Sequence, residues 1–278
     1  MTLRAQETGD GTGTGTGGPE AIRIGGQSAG GAALLAAVSG SLRLWLAIVL
    51  CGTLFLGSCA VFAMVQPFVS EERGRRLGRA AMRRIFEGYL RVVTALGLVE
   101  VDSDDLASIG DEPSLILAPN HPSMLDAMLV IARLDNVSCI MKAELWESLF
   151  LGAGARLAGF IRNDCAHNMI RLAVADLRRG GRLLVFPEAT RTVRRPVNPL
   201  SGGFALIARK ARVPVQTILI ETDSPYLRKG WPLFRRPPLP IRFRLRLGRR
   251  FEPSDDTGAL VAEVERYYAS ELAPREGG

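Results

Sequence analysis

The sequence predicts an α/β fold: a layered domain with a largely parallel sheet flanked by helices, preceded by an N-terminal membrane helix. Three observations carry this expectation. An uncharged apolar run of 22 residues lies near the N-terminus. From about residue 85 onward, short β-like runs alternate with helical ones. The length, 278 residues, leaves room for one ordinary domain plus appendages.

Residues 1–43 read as a disordered leader. The first 31 include GDGTGTGTGG and few bulky apolar side chains, so ordering them would cost entropy with little surface to bury. Residues 44–65, LWLAIVLCGTLFLGSCAVFAMV, carry no charge. As a helix rising about 1.5 Å per residue they reach roughly 33 Å, enough for a hydrocarbon core of about 30 Å. Residues 44–66 are therefore expected to be a membrane anchor, either spanning or monotopic. LGSC at 56–59 only loosely resembles a lipoprotein cleavage box, because the chain stays apolar beyond Cys59. Arg73, Arg75, Arg76, Arg79, Arg83 and Arg84 follow, against Glu71 and Glu72. The positive-inside rule then puts the rest of the chain on the cytoplasmic side of an inner membrane.

Residues 67–278 form the expected main domain. Strands are predicted at 99–102, 115–118, 137–141, 159–161, 182–186 and 213–220. Helices are predicted at 124–134, 144–158, 166–179 and 202–211. IRFRLRLG (241–248) has strict period two, with Arg242, Arg244 and Arg246 on one wet, basic face. Ser254 or Asp255 is the expected N-cap of a terminal amphipathic helix.

Lys and Arg number 35 against 28 Asp and Glu, giving a net charge of +7 and favouring anionic partners. Residues 160–213 hold 11 basic and three acidic side chains, a solvated face that an anionic lipid surface would also attract. No aromatic interleaving or base-reading helix accompanies them, so nucleic acid is not an expected partner. Cys51, Cys59, Cys139 and Cys165 show neither metal-ligand nor disulfide-framework spacing, which fits a reducing compartment. No metal or cofactor is expected. His167 lies in a helical stretch and reads as structural. Trp146, Trp231 and Tyr226 fit either a core or an interfacial belt. Residues 224–238 read as an irregular basic loop at a bilayer surface or acyl-chain entrance.

Two segments carry candidate chemistry. In LILAPNHPSMLDAMLV (115–130) a strand turns through Asn120, His121 and Pro122 into Ser123, three residues before Asp126. Ser123 and Asp126 alone make a capping box, with Asp in place of Glu. His121 has no part in a cap, and the end of a strand is where open α/β sheets place ligands. With Asp126 on one ring nitrogen, the other nitrogen is available to take a proton from a hydroxyl. In RLLVFPEATRT (182–192), Glu188 and Arg191 stand three apart just past a strand, as a loop ion pair or as groups facing the same cleft.

NHPSMLD resembles the N-H-x-S-x-x-D block of the glycerolipid acyltransferases, and FPEATR resembles their F-P-E-G-T-R block, in the family's order about 60 residues apart. GFIRND (159–164) and VPVQTILI (213–220) resemble two weaker blocks. The resemblance implies acyl transfer from acyl-CoA or acyl carrier protein to the hydroxyl of a lysophospholipid, most often lysophosphatidic acid. It implies His121 as general base and Asp126 as its orienting partner. Arg162, Glu188, Arg191, Thr190, Asn120 and Ser123 would contact substrate, and donors at the helix start near Ser123 would face the oxyanion. Two positions depart from the pattern: Ala189 stands for a glycine, and Thr217 for the second proline of the last block. Both loosen the acceptor assignment, leaving another hydroxylated lipid, such as a lyso-ornithine lipid, as an alternative acceptor. A non-catalytic membrane-binding module that keeps the fold is the rival from another class.

Overall fold

The computed structural model describes residues 27–149, 151–194 and 196–273, with side chains from residue 38 onward. Two compact units are distinguished, residues 1–39 and 40–278. Of the first, the described part is the start of helix α1 (Gln27–Val65). The leader expected over 1–43 therefore falls outside the described residues up to residue 26, and from Gln27 the chain is helical. AALLAA, inside that stretch, is built from the strongest helix formers.

Helix α2 (Glu71–Ala95) was not evident from the apolar pattern, because arginines dominate its sequence. Its buried positions, Gly74, Gly78, Met82, Phe86, Tyr89, Leu90 and Val93, recur at helical spacing and form one face. Along α1 a matching stripe of Leu44, Ala47, Cys59 and Phe62 is buried, while Trp45, Leu46, Val49, Val61 and Met64 are exposed. Phe55 meets Phe86 edge-on at 5.5 Å, and Tyr89 Oη donates to the Ala47 carbonyl. The two helices thus pack along their lengths.

The sheet has seven strands: β1 (Val99–Asp102), β2 (Leu115–Pro119), β3 (Val137–Lys142), β4 (Ile161–Asn163), β5 (Arg182–Leu184), β6 (Val215–Thr222) and β7 (Ile241–Phe251). Their spatial order is β1-β7-β6-β2-β5-β3-β4. Strands β2 to β6 run parallel to one another, while β7 is antiparallel to β6 and carries β1 parallel to itself. All five residues of β2 are buried, as a central strand covered on both faces requires. One core lies between the sheet and α1, α2 and α3 (Asp126–Ile131). The other lies under α6 (Ala166–Arg178), α7 (Gly203–Ala211) and α8 (Thr257–Glu271).

Three local expectations shift. The helix expected at 144–158 is two pieces, α4 (Ala143–Trp146) and α5 (Gly152–Leu157). Ser148 Oγ accepts the Leu151 N–H at 3.1 Å, capturing a donor that a continuous helix would direct to a backbone carbonyl. The cap of α8 is Asp256, whose carboxylate accepts from the Ala259 N–H at 2.9 Å; Ser254 instead accepts from the Asp256 N–H. Finally, the Arg242, Arg244 and Arg246 face of β7 is exposed or half-buried as expected but is not a bare basic surface. Glu100 and Asp223 pair with Arg242, Asp102 with Arg244, and Glu221 with Arg246.

Candidate active site

Strand register brings the two chemistry-bearing segments together. An offset of 67 pairs Leu115 with Arg182 and Leu117 with Leu184. Carried past the strand ends, the same offset sets His121 opposite Glu188, and the His121 N–H donates to Glu188 Oε1 at 2.8 Å. Both segments leave the C-terminal ends of adjacent parallel strands, where backbone no longer pairs and side chains can reach a ligand.

His121 Nδ1 lies 2.8 Å from Asp126 Oδ2, and the imidazole face stacks on Phe186 with centroids 3.8 Å apart. The ring is 17% exposed at its side chain and Asp126 is fully buried, so one partner meets solvent and the other does not. An ionised carboxylate only accepts, which fixes the proton on Nδ1 and leaves Nε2 as the acceptor. Burial pushes the Asp126 carboxyl up to about 6, against the opposing hydrogen bond and charge of His121 and the Ser123 N–H. Such a pair can take a proton from an approaching hydroxyl and return it.

The capping box is half formed. Asp126 Oδ2 accepts the Ser123 N–H at 2.8 Å, while Ser123 Oγ donates to the Tyr226 carbonyl and accepts the Leu125 N–H. The Met124 N–H goes to the Leu227 carbonyl and the Asp126 N–H to the Ser123 carbonyl. The amides at residues 123–126 are thus committed within the protein, which corrects the expectation that the helix start near Ser123 offers oxyanion donors.

Glu188 is buried and braces two turns. Oε1 accepts from the His121 N–H and Thr192 Oγ1, and Oε2 accepts from the Asn198 N–H. Asn120 is likewise turned inward, its amide exchanging two hydrogen bonds with the backbone of Ile220. Arg191 is half-buried and donates through Nη1 to the Leu227 and Arg228 carbonyls. Thr190, half-buried, stands beside it in the same turn. Arg162 is the middle residue of β4, the far edge strand of the sheet. It pairs there with Glu147 and Asp164 and lies over Trp146. The structure therefore joins His121, Asp126, Glu188 and Arg191 at the ends of β2 and β5, while Arg162 stands on β4 with partners of its own.

Sequence reasoning missed Phe186, Thr192 and Asn198. Phe186 reads as the last residue of an apolar strand, and only the register turns its ring onto His121. Asn198 closes the turn after Arg191: Oδ1 accepts the Val193 and Arg194 N–H groups, and Nδ2 donates to the Arg191 carbonyl. Its position between Pro196 and Pro199 is a turn signal that pointed there. Ala189 has φ of +54°, the left-handed conformation that its glycine counterpart enters without strain. Thr217 stands at the irregularity between β6 and β7, where its hydroxyl donates to the Arg249 carbonyl.

Residues 100–221 match the acyltransferase family model. The fold is that of the 1-acyl-sn-glycerophosphate (LPA) acyltransferase PlsC from Thermotoga maritima. The TM-score is 0.63 at 18% identity, covering 88% of this chain and 99% of that one. No curated protein is significantly similar in sequence. The matched region begins in β1, ends in β6 and contains both motif segments around the His121–Asp126 pair. Over residues 100–221 the chain is thus similar to the acyltransferase family, and its fold is similar to that of an acyltransferase.

Proposed function

We propose that the enzyme transfers an acyl group from a thioester, acyl-CoA or acyl carrier protein, to the free hydroxyl of a lysophospholipid, with lysophosphatidic acid as the leading acceptor. The observation that carries this reading is His121 held by a fully buried Asp126 at 2.8 Å, at the strand ends where Arg191 also stands. His121 Nε2 removes the acceptor hydroxyl proton as its oxygen attacks the thioester carbonyl. The tetrahedral intermediate collapses, the C–S bond breaks, and the imidazolium returns the proton to the leaving thiolate. Ester and thiol are the products, and no acyl-enzyme or metal enters the scheme. Asp126 orients the ring and stabilises its charged form. Glu188 shapes the site by fixing the His121 backbone. Arg191, with Thr190, holds the anionic head of the acceptor, since phosphate suits a guanidinium fork.

The same reading places the enzyme on a membrane. Residues 38–68 are long and apolar enough to cross a bilayer. Yet α1 packs along α2, which carries Arg73, Arg76, Arg84 and Arg91 on its outer face. A crossing α1 would draw these charges into hydrocarbon at about 2.5–3.5 kcal/mol each. We therefore read α1 as a monotopic anchor and residues 67–278 as the acyltransferase domain, facing the cytoplasm.

The test is purified enzyme with a thioester donor against a panel of lysolipids, products identified by mass. His121→Ala should lower turnover by at least about a thousandfold while leaving vesicle binding intact. Wild-type turnover in that variant would exclude His121 as the base.

A further inference from the structure

We propose that the loop of residues 228–236, together with the adjoining exposed side of α1, is a docking surface for anionic phospholipid headgroups. The inference rests on the membrane-associated reading above and adds a lipid class and a second contact to it. Positive charge is treated differently in two neighbouring regions. On β7 each of Arg242, Arg244, Arg246, Arg249 and Arg250 has a carboxylate partner. Between residues 224 and 251 the sequence has no acidic side chain at all. Among the described residues, no carboxylate lies within ion-pair distance of Lys229 or Arg235, and both are exposed.

These cations are interleaved with apolar groups that the fold leaves uncovered. Leu233 is 40% and Phe234 58% exposed, and the Phe234 ring stacks on Trp45 of α1 at 4.8 Å. Trp45 is itself half exposed and continues into the apolar outer side of α1. The Arg235 guanidinium lies over Trp231 at 4.8 Å. Aromatic rings beside unpaired cations are the composition of a headgroup-level contact, the rings entering the interface and the cations meeting lipid phosphate. An acidic protein would account for the cations but not for Leu233 and Phe234 running on into the anchor. The residues just before the loop touch the site, the Tyr226 and Leu227 carbonyls accepting from Ser123, Met124 and Arg191. Docking here sets the mouth of the site against the lipid surface.

The experiment is co-sedimentation of the full chain with vesicles of phosphatidylcholine alone or with phosphatidylglycerol added. Wild type should prefer the anionic vesicles. Lys229→Glu with Arg235→Glu should lower anionic-vesicle affinity by about 25-fold or more, at about fivefold per charge. The same variant should keep phosphatidylcholine binding and turnover in neutral mixed micelles. Phe234→Ser should weaken binding to both vesicle types alike. Equal wild-type binding to the two vesicles, or an undiminished anionic preference in the double variant, would overturn the proposal. So would a loss confined to reactions with a carrier-protein donor, which would mark an acidic protein as the partner. Wild type that sediments with neither vesicle refutes the membrane reading itself.

Discussion

At the residue scale the decisive feature is a carboxylate without water. Asp126 is fully buried, and desolvation raises its pKa from 3.8 to about 6. Its ordinary value is lower, so this carboxyl favours the folded state below pH 4, and that contribution fades as pH rises through about 6. In the proposed mechanism activity runs the other way, because orienting a charged imidazole requires the ionised form. The acid limb of kcat/KM should fall about tenfold per pH unit below 6, and Asp126→Asn should remove that limb along with most of the rate. A profile flat from pH 5 to 8 in the wild type would contradict the assignment. Ala189 is the second telling residue. Its left-handed φ costs about 1–2 kcal/mol in an L-residue, partly offset by the backbone entropy a glycine loses on folding. Ala189 is exposed, so Ala189→Gly removes no packing. It should stabilise the protein by about 0.5–1 kcal/mol, a Tm rise of about 2 °C by calorimetry. A lower Tm would show that the turn depends on the methyl group.

At the element scale, α2 joins the apolar helix α1 to the sheet domain. Its buried face receives α1, and from the same face Arg79 enters a buried network. It donates to Asp176 Oδ1 at 2.6 Å, to the Ala158 carbonyl and to Asn136 Oδ1, while Ser138 donates to the second Asp176 oxygen. Fully partnered buried charge of this kind fixes one arrangement of α2, α6 and β3. The α1 stripe matters as much. Leu44 and Phe62 are each buried to within 7% of full cover, worth about 1.5–3 kcal/mol apiece. Removing residues 1–65 should therefore leave Met82, Phe86 and Tyr89 bare, and the truncated chain should aggregate in size-exclusion chromatography. A monodisperse, fully active truncation would show that the anchor is separable from the domain.

At the scale of the whole molecule, charge and register follow different rules of legibility. Period two along 241–248 gave the exposed arginines of β7 correctly, because alternation is a local property of a strand. It could not give the neutralising Glu100, Asp102 and Glu221, which arrive from β1 and β6 only when the strands pair. In the same way β2, β3, β6 and α6 are legible as apolar or amphipathic runs. Helix α2 is hidden by its arginines, and the break between α4 and α5 by a hydroxyl that competes with the helix. The His121–Asp126 pair is a five-residue spacing, near enough for local geometry to close it. Arg162 shows the converse: its partners Glu147, Asp164 and Trp146 follow from the edge position of β4 and not from its block.

By itself the sequence determined the layered α/β class, the apolar N-terminal helix, the histidine–aspartate pair and the family that its motifs resemble. Each of these is written in short-range periodicity or in a contiguous block. The tertiary structure alone decided that Glu188 holds the His121 backbone and that Phe186 lies under its ring. It also decided that α1 lies along α2, and that β7 is neutral where the loop before it is not. Those facts depend on strand order and on an offset of 67 between β2 and β5. Such long-range pairings are set by how whole elements bury their apolar faces, and no local pattern encodes them.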